Sequence, residues 1–222
     1  MSIAEGIITV KNSIAAAAER SGRSASDITL VAVSKTHPPA AVVEAIDAGA
    51  VVFGENKVQE ADEKIAVIDR DRCQWHMIGH LQSNKARKAV QLFDMIHSVD
   101  SLELGLRLDR ICGEEGRASL PVLIEVDLAG EESKSGITES SLSQVIERLG
   151  KCRYLELKGL MILPPFADDV EMTRPYFTHL RQLRDELLPG GELSMGMSHD
   201  FEAAVEEGST IVRVGTAIFG AR

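Results

Sequence analysis

Lys35 is the first residue with a placement that suggests chemistry. In LVAVSKTHPP (30–39) a short apolar run passes through Ser34 to an ammonium group and then meets two prolines. A lysine at the end of a strand either swings into water or is aimed into a pocket, where its amine could act as a nucleophile. A second group lies far downstream in SMGMSHD (194–200) and RVGTAIFG (213–220). Ser198 and Thr216 offer hydroxyls there, and Gly215 would let a backbone N–H approach an anion closely, a set that suits a phosphate. Arg213 stands two residues before Gly215 as a cation or hydrogen-bond donor, and equally as an ion-pair partner for Glu125 or Asp127.

A lysine amine beside a phosphate cradle points to Schiff-base chemistry, which uses the neutral amine; partial burial and a nearby cation would both favour that form. His76 and His80 are four apart, a zinc-ligand spacing on a helix, but a strand-to-loop turn fits this stretch better and no third ligand stands near. No metal site is expected. Glu55 reads either as a proton acceptor near Lys35 or as a helix cap, and His199 either as a phosphate contact or as an exposed loop residue. Met195 and Met197 read as gap fillers beneath the site. Lys134, in a polar SKSG loop, reads as a solvated lysine or as a guide for an anionic ligand.

These residues need elements to carry them. Short β-branched runs at 29–33, 50–53, 74–77, 95–99, 121–126, 155–161, 192–194 and 211–214 predict eight strands. Helical patterns at 39–48, 58–68, 84–92, 102–115, 141–149, 170–187 and 201–206 alternate with them, and Gly49, Gly150 and Gly208 stand where left-handed caps are wanted. Ile3, Ile7, Ile14 and Ala18 predict an amphipathic helix in front, with a transit peptide as the alternative. The alternation predicts an α/β fold, a (β/α)8 TIM barrel with an additional N-terminal helix, in one domain over 1–222. An open doubly wound sheet competes, but no glycine-rich turn follows the first strand. In a barrel the C-terminal strand ends build the site, and Lys35, Asn56, Ser198 and Gly215 all fall at such ends.

Bulk properties narrow the partners. Asp and Glu outnumber Lys and Arg 34 to 24, for a formal charge of -10, which argues against a nucleic-acid partner. No apolar run is long enough for a membrane span. Three scattered cysteines, Cys73, Cys112 and Cys152, suggest neither a disulfide framework nor a zinc knuckle and fit a reducing cytoplasm.

Taken together, LVAVSKTHP, FGENKVQEA, WHMIGHLQSNK, HSVDS, EVDLAGEESKSGI, KGLMILPPF, RPYF and LSMGMSHDFEAAVEEGSTIVRVGTAIFGAR resemble the pyridoxal phosphate homeostasis protein family, single-domain relatives of the alanine racemase barrel. The resemblance implies fold type III of the pyridoxal 5′-phosphate (PLP) proteins and PLP held as an internal aldimine on Lys35. It implies that Ser198, Gly215 and Thr216 hold the phosphate, that Arg213 faces the pyridine nitrogen, and that Asn56 and Met197 line the cofactor. Lys57 departs from the aromatic residue or arginine expected there, at the outer rim of the pocket.

An arginine at the ring nitrogen favours the unprotonated ring and a weaker electron sink, consistent with a carrier. Alanine racemases add a β-rich second domain with a tyrosine acid-base group. This sequence stops at Arg222 and has only Tyr154 and Tyr176. The expectation is therefore storage and delivery of PLP by a cytoplasmic monomer, with PLP-dependent apoenzymes as recipients and no turnover. The alternatives are a PLP-dependent amino-acid racemase or lyase, and a class I aldolase whose lysine attacks a phosphorylated substrate directly.

Overall fold

The computed structural model describes residues 2–130 and 135–220. Helix α1 (Ile3–Arg20) leads into β1 (Thr29–Val33), α2 (Pro39–Asp47), β2 (Val52–Glu55), α3 (Val58–Ile65), β3 (Gln74–Met77), α4 (Ala86–Leu92) and β4 (Met95–Val99). There follow α5 (Leu102–Glu114), β5 (Leu120–Asp127), β6 (Ile137–Thr138), α6 (Glu139–Leu149), β7 (Leu155–Met161), α7 (Arg174–Leu187), β8 (Glu192–Met197), α8 (Phe201–Glu206), β9 (Ile211–Val214) and α9 (Thr216–Phe219). Strand order β4-β3-β2-β1-β9-β8-β7-β5, closed by pairing of β4 with β5, makes an eight-stranded parallel barrel. The two-residue β6, which the sequence pattern does not predict, pairs with β5 outside that ring.

Period-2 alternation divides six of the barrel strands between two apolar cores. Val31, Val52, Met95, Leu123, Met161 and Ile211 form a small apolar cluster inside the barrel. Their neighbours Ala32, Phe53, Ile96, Val122, Leu160 and Val212 face outward into the larger core beneath the helices. The leading helix starts on a capping box in which Ser2 and Glu5 exchange hydrogen bonds, and it buries Ile7, Val10, Ile14 and Ala17. A side chain at Gly6 would meet the Ile218 carbonyl at 2.8 Å, so α1 lies backbone to backbone against α9, the short helix that follows β9.

Boundaries differ from expectation in instructive places. Strand β2 begins at Val52 rather than residue 50, because Val52 opposes Gln74 in the β3 register, and it continues through Glu55. Strand β8 runs on to Met197, which opposes Arg213. The helix expected over 170–187 breaks at Thr173 into a 3-10 turn and α7, whose first turn carries Pro175. Gly49 and Gly208 adopt left-handed conformations after their helices, with φ of 87° and 99°; Gly150, at φ -63°, does not.

Candidate functional site

Register brings the ends of β1, β2, β8 and β9 together. Val31 opposes Arg213 and Ala32 opposes Val214, which carries Lys35 to the barrel mouth beside Gly215 and Thr216. On the other flank, Val33 opposes Gly54 and the Ser34 N–H donates to the Gly54 carbonyl, so Asn56 follows β2 out at the same mouth. The polypeptide at Gly79 packs directly on the Asn56 backbone, 2.5 Å from its carbonyl oxygen for a built Cβ. Asn56 and Lys57 line a mouth cavity with Met77, Gly79, His80 and Gln82.

Lys35 is half-buried, and what holds it lies underneath. Glu55 and Lys64 are buried together: Lys64 Nζ lies 2.5 Å from Glu55 Oε1 and donates to the Ser34 carbonyl at 2.7 Å, while the Ser34 hydroxyl donates to the same Glu55 oxygen at 2.7 Å. Burial raises the Glu55 carboxyl pKa, against the hydrogen bonds from Lys64 and Ser34. Glu55 is therefore neither a cap for α3 nor an open base; it anchors the strand end that presents Lys35. Thr36 then takes φ +67°, a left-handed conformation that a β-branched residue rarely adopts, and its N–H donates to Glu60 Oε2 at 2.9 Å. That bond holds the Glu60 carboxyl below its ordinary range.

The opposite wall is set by a loop. Gly215 N–H donates to Ser198 Oγ at 3.0 Å, so the hydroxyl and the amide named from sequence converge on one point. Thr216 begins α9, whose first N–H groups lack intrahelical partners. Asp200 ties the loop: its Oδ1 accepts the Met197 N–H at 2.7 Å, and the Asp200 N–H donates to the Met197 carbonyl. Gly196, at φ +93°, lets the strand turn against Phe201 and Ala204. Gly215 is demanded by packing as well, since a Cβ there would stand 3.3 Å from the Val33 carbonyl. Met197 is exposed at the rim, while Met195 is fully buried in the outer core, so only the second fills a gap.

Arg213 is buried inside the barrel, donating from Nη1 to Ser194 Oγ at 2.5 Å and from Nη2 to the Ile162 carbonyl at 2.8 Å. Burial pushes its pKa down to about 10, with Glu125 and Asp200 acting in the other direction, so it stays cationic at neutral pH. Glu125 shares that interior. Burial and the Asp100 charge push its carboxyl up to about 7, against the pull of Arg213 and His80. Asp127 is no partner of Arg213: its Oδ1 accepts the N–H groups of Ala129 and Gly130 in a turn.

The remaining candidates separate. His76 points inward and contacts His97, whereas His80 pairs with Asp100 at 2.7 Å, so the two do not share a ligand position. Among the described residues no cluster of three or more His, Cys, Asp or Glu could hold a metal, and no helix is long and apolar enough to cross a membrane. His199 packs beside the exposed Phe166 and bonds the Asp168 carbonyl. Lys134 lies outside the described residues. Burial pushes the Cys73 and Cys112 thiols up to about 11, which keeps them unreactive. Tyr154 and Tyr176 pack against the outer core, away from the barrel interior.

Lys64, Asp200, His97 and Ser194 hydrogen-bond to the candidate residues or to the segments that carry them, and the sequence pattern does not single them out. The last two do carry a readable signal, since each is polar at an inward parity of its strand. His97 stands two residues after the inward Met95, and Ser194 lies between the outward Leu193 and Met195. Lys64 has none, because an exposed and a buried lysine look alike on a helix.

An amine at a β1 end, a hydroxyl-and-amide cradle at the ends of β8 and β9, and a buried arginine between them define a barrel of the alanine racemase N-terminal class; a family model described as "Alanine racemase, N-terminal domain" matches residues 10–222. The chain is 42% identical to the Pyridoxal phosphate homeostasis protein of Escherichia coli strain K12, covering 99% of this chain and 97% of that protein. The chain belongs to the pyridoxal phosphate homeostasis protein family. The solved structure of PipY from Synechococcus elongatus with PLP bound is similar, with TM-score 0.86, 42% identity, and coverage of 99% of this chain and all of that one. Alanine racemase from Corynebacterium glutamicum, at 18% identity and TM-score 0.71, shares the fold; the match covers 96% of this chain and 61% of that one.

Proposed function

We propose that this protein holds PLP at the C-terminal mouth of its barrel, with Lys35 as the covalent anchor, and acts in PLP homeostasis by storing and delivering the cofactor. PLP supplies an aldehyde that a lysine amine can hold reversibly. The observation that carries the reading is the convergence of Ser198 Oγ and the Gly215 N–H, 3.0 Å apart, at the mouth to which β1 brings Lys35. That donor set fits a phosphate: neutral hydroxyl and amide donors from Ser198, Gly215 and Thr216, with no carboxylate in the bond between Gly215 and Ser198. In this reading Arg213, buried and cationic, faces the ring nitrogen, and Asn56 and Met197 flank the ring.

The same reading makes the chain one PLP-binding domain, monomeric and cytoplasmic, with PLP-dependent apoenzymes as recipients. Support for delivery rather than turnover comes from the name carried by relatives at about 40% identity, and from two tyrosines that stand away from the interior.

The test is chemical. The purified protein incubated with PLP is expected to show the visible band of a lysine-bound cofactor, and borohydride is expected to fix the adduct on the peptide containing Lys35. An adduct on another lysine, or none, overturns the assignment. Sustained racemisation of a single-enantiomer amino acid would replace the carrier reading by the racemase alternative.

A further inference from the structure

A line of polar side chains crosses the barrel beside the apolar cluster of Val31, Val52, Met95, Leu123, Met161 and Ile211. His76 Nδ1 lies 3.0 Å from His97 Nε2, His97 Nδ1 lies 2.9 Å from Ser194 Oγ, and Arg213 Nη1 donates to the same Ser194 oxygen at 2.5 Å. All four residues are buried, at 5%, 0%, 0% and 3% exposure. They stand on β3, β4, β8 and β9, and in the strand order β4 and β8 are separated by β5 and β7. The His97 to Ser194 contact therefore spans the lumen.

Proton counting gives this line a direction. A guanidinium has donors only, so Ser194 Oγ must accept from Arg213. The Ser194 hydroxyl has no other hydrogen-bond partner among the described residues, so its own proton goes to His97 Nδ1. That nitrogen is then a bare acceptor and the His97 proton sits on Nε2, facing His76 Nδ1. His76 in turn carries its proton on Nε2. It lines a cavity of about 290 Å³ at the opposite mouth, with Gln74, Asp94, Met95 and Lys158. Both rings must be neutral for this to hold. Burial accordingly lowers both, His76 to about 4 and His97 well below its ordinary value.

We propose that Ser194, His97 and His76 are positioning residues for Arg213, forming a one-way donor chain that locks the guanidinium in the orientation in which it meets the cofactor ring. A serine whose proton is committed to His97 always presents a lone pair to Arg213. If His97 is lost, that hydroxyl can rotate, and among the described residues Arg213 keeps the Ile162 carbonyl as its one fixed hydrogen-bond acceptor. The role at the ring rests on the PLP reading above; the proton assignment does not.

Nitrogen-15 spectra of the histidine side chains in the wild-type protein, recorded without and with PLP, test the assignment directly. His97 and His76 are expected as neutral Nε2–H tautomers at pH 7, and Ser194→Ala is expected to move both signals, including that of His76, which Ser194 does not touch. A His97 proton on Nδ1, or an imidazolium, overturns the chain. In the PLP-loaded protein, His97→Leu is expected to shift the visible band and to release PLP roughly tenfold faster, as loss of a charge-assisted hydrogen-bond arrangement implies. His97→Gln, which can accept and donate at once, is expected to restore the band and most of the rate. Loading at the wild-type band and rate in folded His97→Leu, or an unrestored His97→Gln, overturns the positioning role. If His97→Leu fails to fold, Ser194→Ala takes its place in the same release measurement. Wild-type protein that forms no adduct on Lys35 overturns the PLP reading and the role at the ring together, whereas the spectra decide the proton chain alone.

Discussion

Lys64 Nζ lies 2.5 Å from Glu55 Oε1, with both side chains buried, and the pair is bolted to the residue before Lys35 through the Ser34 carbonyl and hydroxyl. An ion pair in that position supplies geometry more than stability, because two charges removed from water recover little beyond what desolvation takes. Its removal from one side is a different matter. Lys64→Met is expected to destabilise the protein by about 3–5 kcal/mol in urea unfolding, since Glu55 is left buried and unpaired. Lys64→Met combined with Glu55→Leu is expected to regain most of that loss while binding PLP less tightly, because β1 no longer ends on a fixed point. A double variant no more stable than the single one would show that the pair itself stabilises the fold.

Backbone strain sits one residue beyond Lys35. Thr36 at φ +67° stores about 1–2 kcal/mol that glycine would not, although glycine gives back roughly 0.5–1 kcal/mol through the unfolded chain. Thr36→Gly is thus expected to raise the melting temperature of the cofactor-free protein slightly and to speed PLP release, as the lysine becomes less constrained. Thr36→Ala should relieve less strain. A fall in melting temperature for Thr36→Gly would mean that the Thr36 side chain makes up more than its backbone loses.

Ser198→Ala removes the acceptor of the Gly215 N–H and a hydroxyl from the proposed phosphate cradle. Affinity for PLP is expected to fall roughly tenfold in equilibrium titration, while pyridoxal, which lacks the phosphate, should bind the two proteins alike. An equal loss for both ligands would mean that Ser198 shapes the loop rather than meeting the phosphate. Gly215→Ala should weaken both ligands, because its Cβ presses on the Val33 carbonyl at 3.3 Å and displaces β1 itself.

The barrel was legible in the sequence because each strand is a short apolar run ended by glycine, proline or a polar cluster, and Pro38 and Pro39 mark the end of β1 and the start of α2. The positions of Lys35, Ser198, Gly215 and Thr216 past the ends of β1, β8 and β9 were legible for the same reason, and barrel sites are built at such ends. What holds them was not. Lys64 sits on an acidic, solvent-like helix, VQEADEKI, and its burial is decided by Glu55 on another element. The interior line from His76 to Arg213 is visible only once the barrel closes, because His97 and Ser194 are 97 residues apart and meet across the lumen.

Glu125 gives the interior a pH dependence with a definite sign. Its carboxyl is pushed from an ordinary 4.5 up to about 7, chiefly by burial. Between those two values the folded protein keeps a proton that the unfolded chain has released. Stability therefore falls as pH rises through that window, and the whole deficit, on the order of 3 kcal/mol, is present above pH 7. Glu125→Gln keeps the shape and removes the titration. The cofactor-free variant is expected to be more stable than wild type at pH 8 and to lose that advantage by pH 5, measured as urea midpoints at both. His76 works oppositely: held neutral to about pH 4, it lowers stability as pH falls below 6.5, in both proteins alike. The difference between variant and wild type therefore isolates Glu125. Parallel profiles for the two proteins would mean that Glu125 titrates at its ordinary value and stays ionised beside Arg213.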